Sequence, residues 1–147
     1  MPVSKYCSIY GEKSHEYYLE SSSKSTDKNG VERTFTSSDK YVGETANAIE
    51  SKFPGRVVGV NQITLRQNGS ILTDFDIELD SIVIQVKSGT GKGLTSQMQR
   101  TATGTTKTVI GYTPDLTPSS ALVKGAKNAG FDVFTTLKDL LNFIASH

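Results

Sequence analysis

The stretch "DFDIELDSIVIQVKSG", residues 74–89, decides how the fold is read. Its first half alternates: Asp74, Asp76 and Glu78 share one side of an extended chain, with apolar residues between them. Asp80-Ser81 is a turn signal, and "IVIQV" is the nearly continuous apolar run of a central strand covered on both faces. Two antiparallel strands joined at Asp80-Ser81 set Asp76 about opposite Gln85. Strand side chains alternate, so Gln85 and Lys87 point the same way and the three polar groups converge at one sheet end. A carboxylate and an amide oxygen suit a hard divalent cation. A lysine beside them orients a water or stabilises negative charge developing on phosphate.

Upstream, "SSDKYVGETANAIESKF" is a helix with Ser38 as its N-cap and Tyr41, Val42, Ile49 and Phe53 near one face, stopped at Pro54-Gly55. "RVVGVNQITLRQ" is a strand, and the tight-turn pair Asn68-Gly69 returns it into "SILTDFDIEL". Downstream of the Gly-rich "SGTGKG" come a helix, "LTSQMQRTAT", and a strand, "KTVIGYTP". "PSSALVKGAKNAG" is a helix starting near Pro118 and stopped by Gly130. "FDVFT" is a strand, and "TLKDLLNFIASH" is a terminal amphipathic helix with Leu137, Leu140, Leu141 and Ile144 on its core face. A meander followed by strand–helix–strand units predicts a mixed α/β domain, with helices on both sides of a central mixed β-sheet.

Residues 1–37 read as a polar lead-in rich in Ser, Lys and Tyr, with a turn signal at Asn29-Gly30 and two short segments, "CSIYG" and "EYYLES", that suit strand or helix equally. Residues 38–147 read as one domain, in keeping with a total length of 147 residues. No apolar run approaches the roughly 18 residues of a membrane span, and no signal-peptide pattern opens the chain. The sequence is equally compatible with a fragment cut from a larger exported protein.

The lone Cys7 excludes an intramolecular disulfide or a Cys-rich zinc site, and His15 and His147 make no ligand spacing. Chemistry must then come from carboxylates, amides, lysines and hydroxyls, a set suited to magnesium or manganese. The formal net charge of +1 lacks the basic excess of a nonspecific DNA binder, so any nucleic-acid surface must be a local cluster.

The acid, then Gln-x-Lys, across two strands resembles the PD-(D/E)XK, or restriction-endonuclease-like, nuclease superfamily. Its core is αβββαβ, with an acid on the second strand and an acid or Gln, any residue, and Lys on the third. "FDIELDSIVIQVKSG" fits with Asp76 as the acid, Gln85 in the variable ligand position and Lys87 as the lysine. The resemblance implies Glu44, in "VGETANAIE", as a further glutamate from the first helix. It covers roughly residues 38–147. Two departures stand out: Gln85 removes a negative charge from the metal site, and "TDFD" supplies acids without the usual Pro-Asp. More narrowly, "IQVKSGTGKGLTSQMQRT", "TVIGYTPDLTPS" and "AGFDVFTTLKDLLNFI" resemble C-terminal toxin domains of bacterial contact-dependent growth-inhibition and related polymorphic toxin systems.

That resemblance implies a metal-dependent nuclease with Asp76, Gln85, Lys87 and Glu44 catalytic, the metal held by Asp76, Glu44 and Gln85. The cation would be magnesium or manganese, with zinc a further option. Lys92, Gln97, Gln99 and Arg100 would face the nucleic-acid backbone. It also implies a cognate immunity protein, and release from a cell-surface or secreted toxin into the cytoplasm of a target bacterium, with the free domain a monomer. The near-neutral charge leans toward a shape-recognised substrate such as tRNA over DNA. The competing reading is a catalytically degenerate nuclease fold that only binds nucleic acid or protein.

Blander roles stand beside these. Asp74 is a second-metal ligand or a solvated rim residue, Glu78 a reserve ligand, and Glu50 a weaker substitute for Glu44. "GTGKG" lacks phosphate-loop spacing and reads equally as a flexible basic loop that touches the nucleic-acid backbone or as a plain connector. Tyr112 reads as core packing, and Lys124 and Lys127 as solvated.

Overall fold

A computed structural model of the chain describes residues 25–26, 32–35, 37, 39–65 and 68–147. The readings of "CSIYG", "EYYLES", Asn29-Gly30 and Ser38 lie outside the described residues. The elements are, in order, β1 Ser25–Thr26, β2 Glu32–Arg33, α1 Lys40–Lys52, β3 Val57–Leu65, β4 Ile71–Leu79 and β5 Ile82–Val86. Then follow α2 Leu94–Thr103, β6 Thr108–Tyr112, α3 Ala121–Asn128, β7 Asp132–Phe134 and α4 Leu137–Ala145. Strands β1 and β2 form a small antiparallel pair. The main sheet has five strands in chain order, β3-β4-β5-β6-β7, antiparallel through β5 and parallel beyond it. Among the described residues, no helix is long and apolar enough to cross a membrane.

The sheet is covered on both faces, as the sequence predicts. On one side Val42, Ala46 and Ile49 of α1 and Leu140 and Ile144 of α4 pack on Ile77, Leu79, Ile82, Ile84, Val86 and Ile110. On the other, Leu94 and Met98 of α2 and Val123 and Ala126 of α3 pack on Phe75, Val83, Val109 and Val133. Every residue of β5 is buried, which explains its nearly continuous apolar run. Truncating a fully buried Ile84 or Met98 to Ala removes about 2–5 kcal/mol. Gly111 lets α2 sit this close, since a Cβ there would stand 3.2 Å from Met98 Sδ.

Several boundaries differ from expectation. The N-cap of α1 is Asp39, whose side chain accepts from the N–H groups of Tyr41 and Val42. Helix α3 begins at Ala121 instead of near Pro118, because Thr117, Ser119 and Ser120 first close a hydroxyl-bonded turn. Its C-terminal stop at Gly130 holds, with φ of 99°. Leu137, expected on the core face of α4, is 37% exposed, since it opens the first turn beyond the sheet cover. Residues 35 and 37 are bound into the domain. Asn47 of α1 accepts from Phe35 N at 2.7 Å and donates to Phe35 O at 2.9 Å. The buried Ser37 hydroxyl accepts from Asn61 Nδ2 at 2.8 Å and from Asp39 N at 3.1 Å.

Candidate active site

The sheet's upper end, where β5 and β6 finish, is shaped by a coordinated kink in β3 and β4. The paired register runs Val60↔Ile77 and then Gln62↔Phe75, stepping over Asn61 and Asp76. Asn61 has φ of 55°, a left-handed conformation that asparagine tolerates. Ile77 and Leu79 pack under α1 and α4, whereas Phe75 packs under α2 and α3, so the two-residue alternation skips a beat at Asp76. Asp76 therefore turns its carboxylate into the ladder, and its Oδ2 accepts from the backbone N–H of Val86 at 2.8 Å. The expectation that Asp74, Asp76 and Glu78 share one face fails at this kink. Glu78 lies opposite Val83, and its buried carboxylate pairs with the partly exposed Lys107 at 2.7 Å.

Asp76 is 8% exposed. Burial, followed by the nearby Asp74 carboxylate, pushes its carboxyl up to about 7. Asp39 adds to the rise, and the Val86 N–H and the Lys87 ammonium oppose it. Three charged groups thus act on the Asp76 carboxyl: Asp74 from β4, Asp39 from the start of α1, and Lys87 from the end of β5. Asp74 is exposed, Asp39 and Lys87 are half-buried, and Asp76 is buried. Among the described residues, no group of three or more His, Cys, Asp or Glu side chains is arranged to hold a metal ion.

The other expected site residues divide. Gln85 is wholly buried, and its amide is bonded by protein groups: Nε2 donates to Asp74 O at 2.8 Å and to Thr101 Oγ1 at 2.7 Å. Its Oε1 accepts from Gln97 Nε2 at 3.1 Å. Gln97 therefore joins the site, with its own Oε1 buried and lacking a hydrogen-bond partner among the described residues. Gln99 is exposed and, at about 100° per helical residue, lies nearly opposite Gln97 on α2. Lys92 and Arg100 are exposed. Glu44 is exposed too and pairs with Lys40 at 3.8 Å; behind the Asp115 hydrogen bond at Tyr41 and burial at Tyr112, its charge adds to the raised pKa of both phenols. Glu50 is buried, and its Oε1 accepts from Gly55 N at 3.1 Å, closing the chain behind α1.

Sequence reasoning passes over Asp39 and Asp115. An aspartate before a helix reads as a cap, and nothing local shows that its charge also acts on Asp76. Asp115 fixes the loop after Lys87, in which Gly89, Gly91 and Gly93 all have positive φ. Its Oδ2 accepts from Gly89 N at 2.7 Å and its Oδ1 from the Tyr41 hydroxyl at 2.8 Å. The Gly89 N–H, then the Tyr41 hydroxyl, hold Asp115 below the usual carboxylate range. One side chain thereby ties the Gly-rich loop to α1.

Comparison with protein-family models, with curated proteins and with solved structures finds no match to this chain.

Proposed function

We propose that the protein is a metal-dependent nuclease that hydrolyses phosphodiester bonds, with a restriction-endonuclease-like core. The observation that carries this reading is the desolvated Asp76 carboxylate, flanked by Asp74 and Asp39 and bonded to the residue next to Lys87. The order α1–β3–β4–β5–α2–β6 is that of an αβββαβ core. The Val86 N–H is the one protein donor to Asp76 among the described residues, and two more carboxylates repel it. That arrangement fits magnesium or manganese, which keep several waters and need only one or two carboxylates besides substrate phosphate. Asp76 and the exposed Asp74 would hold the cation, and Glu44, engaged with Lys40, is given no ligand role. When bound, the cation supplies charge neutralisation at the phosphate and a more acidic water. Lys87 orients the attacking water and stabilises charge developing on the phosphate oxygens. Lys92 and Arg100 lie exposed on the loop and helix that follow, where they meet the substrate backbone, while Gln97 supports Gln85 from the same helix.

In this reading the domain is the toxin of a contact-dependent growth-inhibition system, delivered to a target cytoplasm and restrained by an immunity protein. A tRNA substrate is preferred to DNA, since the net charge of +1 gives little nonspecific phosphate affinity. One observation favours the second reading, a degenerate nuclease fold that only binds: Gln85, in the variable ligand position, has its amide engaged by protein. A single assay separates them. Purified protein is incubated with a tRNA pool and with plasmid DNA in magnesium, manganese, zinc or EDTA. Metal-dependent cutting of either substrate supports the nuclease, and no cutting in any metal overturns it.

A further inference from the structure

We infer that Gln85 is a positioning residue: its carboxamide sets where β4 delivers Asp74 and Asp76 relative to β5 and Lys87, acting through the Asp74 carbonyl. The inference rests on the proposed nuclease only for the chemistry of the groups it positions. The register of β4 with β5 runs through Glu78↔Val83 and Ile77↔Ile84. Above that point two bonds cross between the strands, and each joins a side chain of one to the backbone of the other. Gln85 Nε2 donates to Asp74 O at 2.8 Å, and Val86 N donates to Asp76 Oδ2 at 2.8 Å. Their lengths fix how far the strand carrying both acids stands from the strand carrying Lys87.

The network assigns the amide's orientation. Asp74 O can only accept, so the Gln85 atom 2.8 Å from it must be the NH2; Thr101 Oγ1, which donates to Gln97 O at 2.8 Å, accepts the other N–H. Both N–H groups are then engaged, one by Asp74 O and one by Thr101, while Oε1 takes the Gln97 amide. Thr73 Oγ1 lies 3.3 Å from Thr101 Oγ1, which joins β4 to α2 a second time. The neighbour of Gln85 on β6 is Gly111, and its missing side chain leaves α2 room to close over the amide. Such a buried, fully bonded amide is rigid. A carboxylate of the same shape has no N–H, so it would lose the bond to Asp74 O and set a negative charge against that carbonyl oxygen.

The positioning and ligand roles make opposite predictions for Gln85→Glu. A ligand converted to an acid binds a divalent cation more tightly, whereas a lost donor lets the Asp74–Asp76 segment drift and weakens binding. The test measures Mn2+ binding by calorimetry on the full chain at pH 8, with circular dichroism to verify folding. Gln85→Glu, Gln85→Met and Thr101→Val are each expected to weaken Mn2+ by about tenfold or more, the usual effect of losing an outer support. The Gln85→Met/Thr101→Val double variant should lose little beyond Gln85→Met alone, because both act through one network. Should Gln85→Glu fail to fold, the other variants carry the comparison. Tighter Mn2+ binding by Gln85→Glu overturns the inference, as does wild-type affinity in folded Gln85→Met. If the wild-type protein binds no Mn2+, the metal-dependent reading falls and amide hydrogen exchange decides the positioning role. Gln85→Met should then speed exchange at Val86 while the Ile84 amide keeps its wild-type rate. Unchanged exchange at Val86, or equal acceleration at both, overturns it.

Discussion

The backbone N–H of Val86 donates to Asp76 Oδ2 across a 2.8 Å gap, and among the described residues it is the one hydrogen bond to this buried carboxylate. One neutral donor offsets little of the burial and of the Asp74 charge, so the carboxyl rises to about 7 from an ordinary 3.8. A group whose pKa is raised by folding holds its proton more tightly in the native state. Its stabilising effect is complete below about pH 4 and is lost as pH climbs through 7. Linkage bounds the loss at about 4 kcal/mol. In EDTA, the melting temperature should therefore fall between pH 5 and pH 8. Asp76→Asn, which stays neutral, should flatten that slope. A wild-type melting temperature that is level over this range contradicts the account.

Activity should separate residues that stand together at the site from residues that merely follow the sequence pattern. Lys87→Ala and Asp76→Ala are expected to reduce cleavage by about 10²–10³-fold, the scale of losing a preorganised electrostatic group. Glu44→Ala should stay near wild type, because Glu44 is exposed and paired with Lys40. Gln97→Ala should lose activity while Gln99→Ala does not, since only Gln97 reaches Gln85. Initial rates on the cleaved substrate, with folding checked by circular dichroism, decide each pair. Retained cutting in Lys87→Ala would remove the lysine from the site.

The loop after Lys87 should loosen when its anchor goes. Asp115 accepts from Gly89 N and from the Tyr41 hydroxyl, and both groups are at the surface. Asp115→Ala should speed hydrogen exchange at the Gly89 amide while leaving the melting temperature close to wild type. Tyr41→Phe removes one support and leaves the Gly89 bond, so its effect on exchange should be smaller. Equal exchange in all three proteins would show that the positive-φ glycines hold the loop unaided.

What the sequence shows of this fold follows from periodicity, and what it hides follows from breaks in periodicity. The apolar run of β5 can only be a strand covered twice, and both covers are present. The turn at Asp80-Ser81 correctly brings Asp76 to the level of β5 near Gln85, as the Val86 bond requires. The kink at Asn61 and Asp76 leaves no local mark, because alternating residues look the same whether or not one position is skipped. Glu78 is misread for that reason. Gln85 illustrates a different limit: an amide in an apolar strand must find partners, but the partners come from Thr101 and Gln97, on a helix whose docking is a tertiary fact.

Glu78 supplies a stability test apart from the acidic end. Its side chain is almost wholly buried, its Oε2 meets Lys107 Nζ at 2.7 Å, and its Oε1 lacks a hydrogen-bond partner among the described residues. Lys107 Nζ also donates to Leu79 O at 2.8 Å, so the ammonium closes the end of β4 as well as neutralising the acid. Removing the lysine alone strands a buried carboxylate, and Lys107→Met should destabilise the domain by about 3–5 kcal/mol at neutral pH. Replacing both groups at once, Glu78→Gln with Lys107→Met, removes the uncompensated charge and should recover a large part of that loss. Urea unfolding of the two variants measures the difference. A double variant as unstable as Lys107→Met would mean that the Leu79 carbonyl, not the carboxylate, is what the lysine chiefly serves.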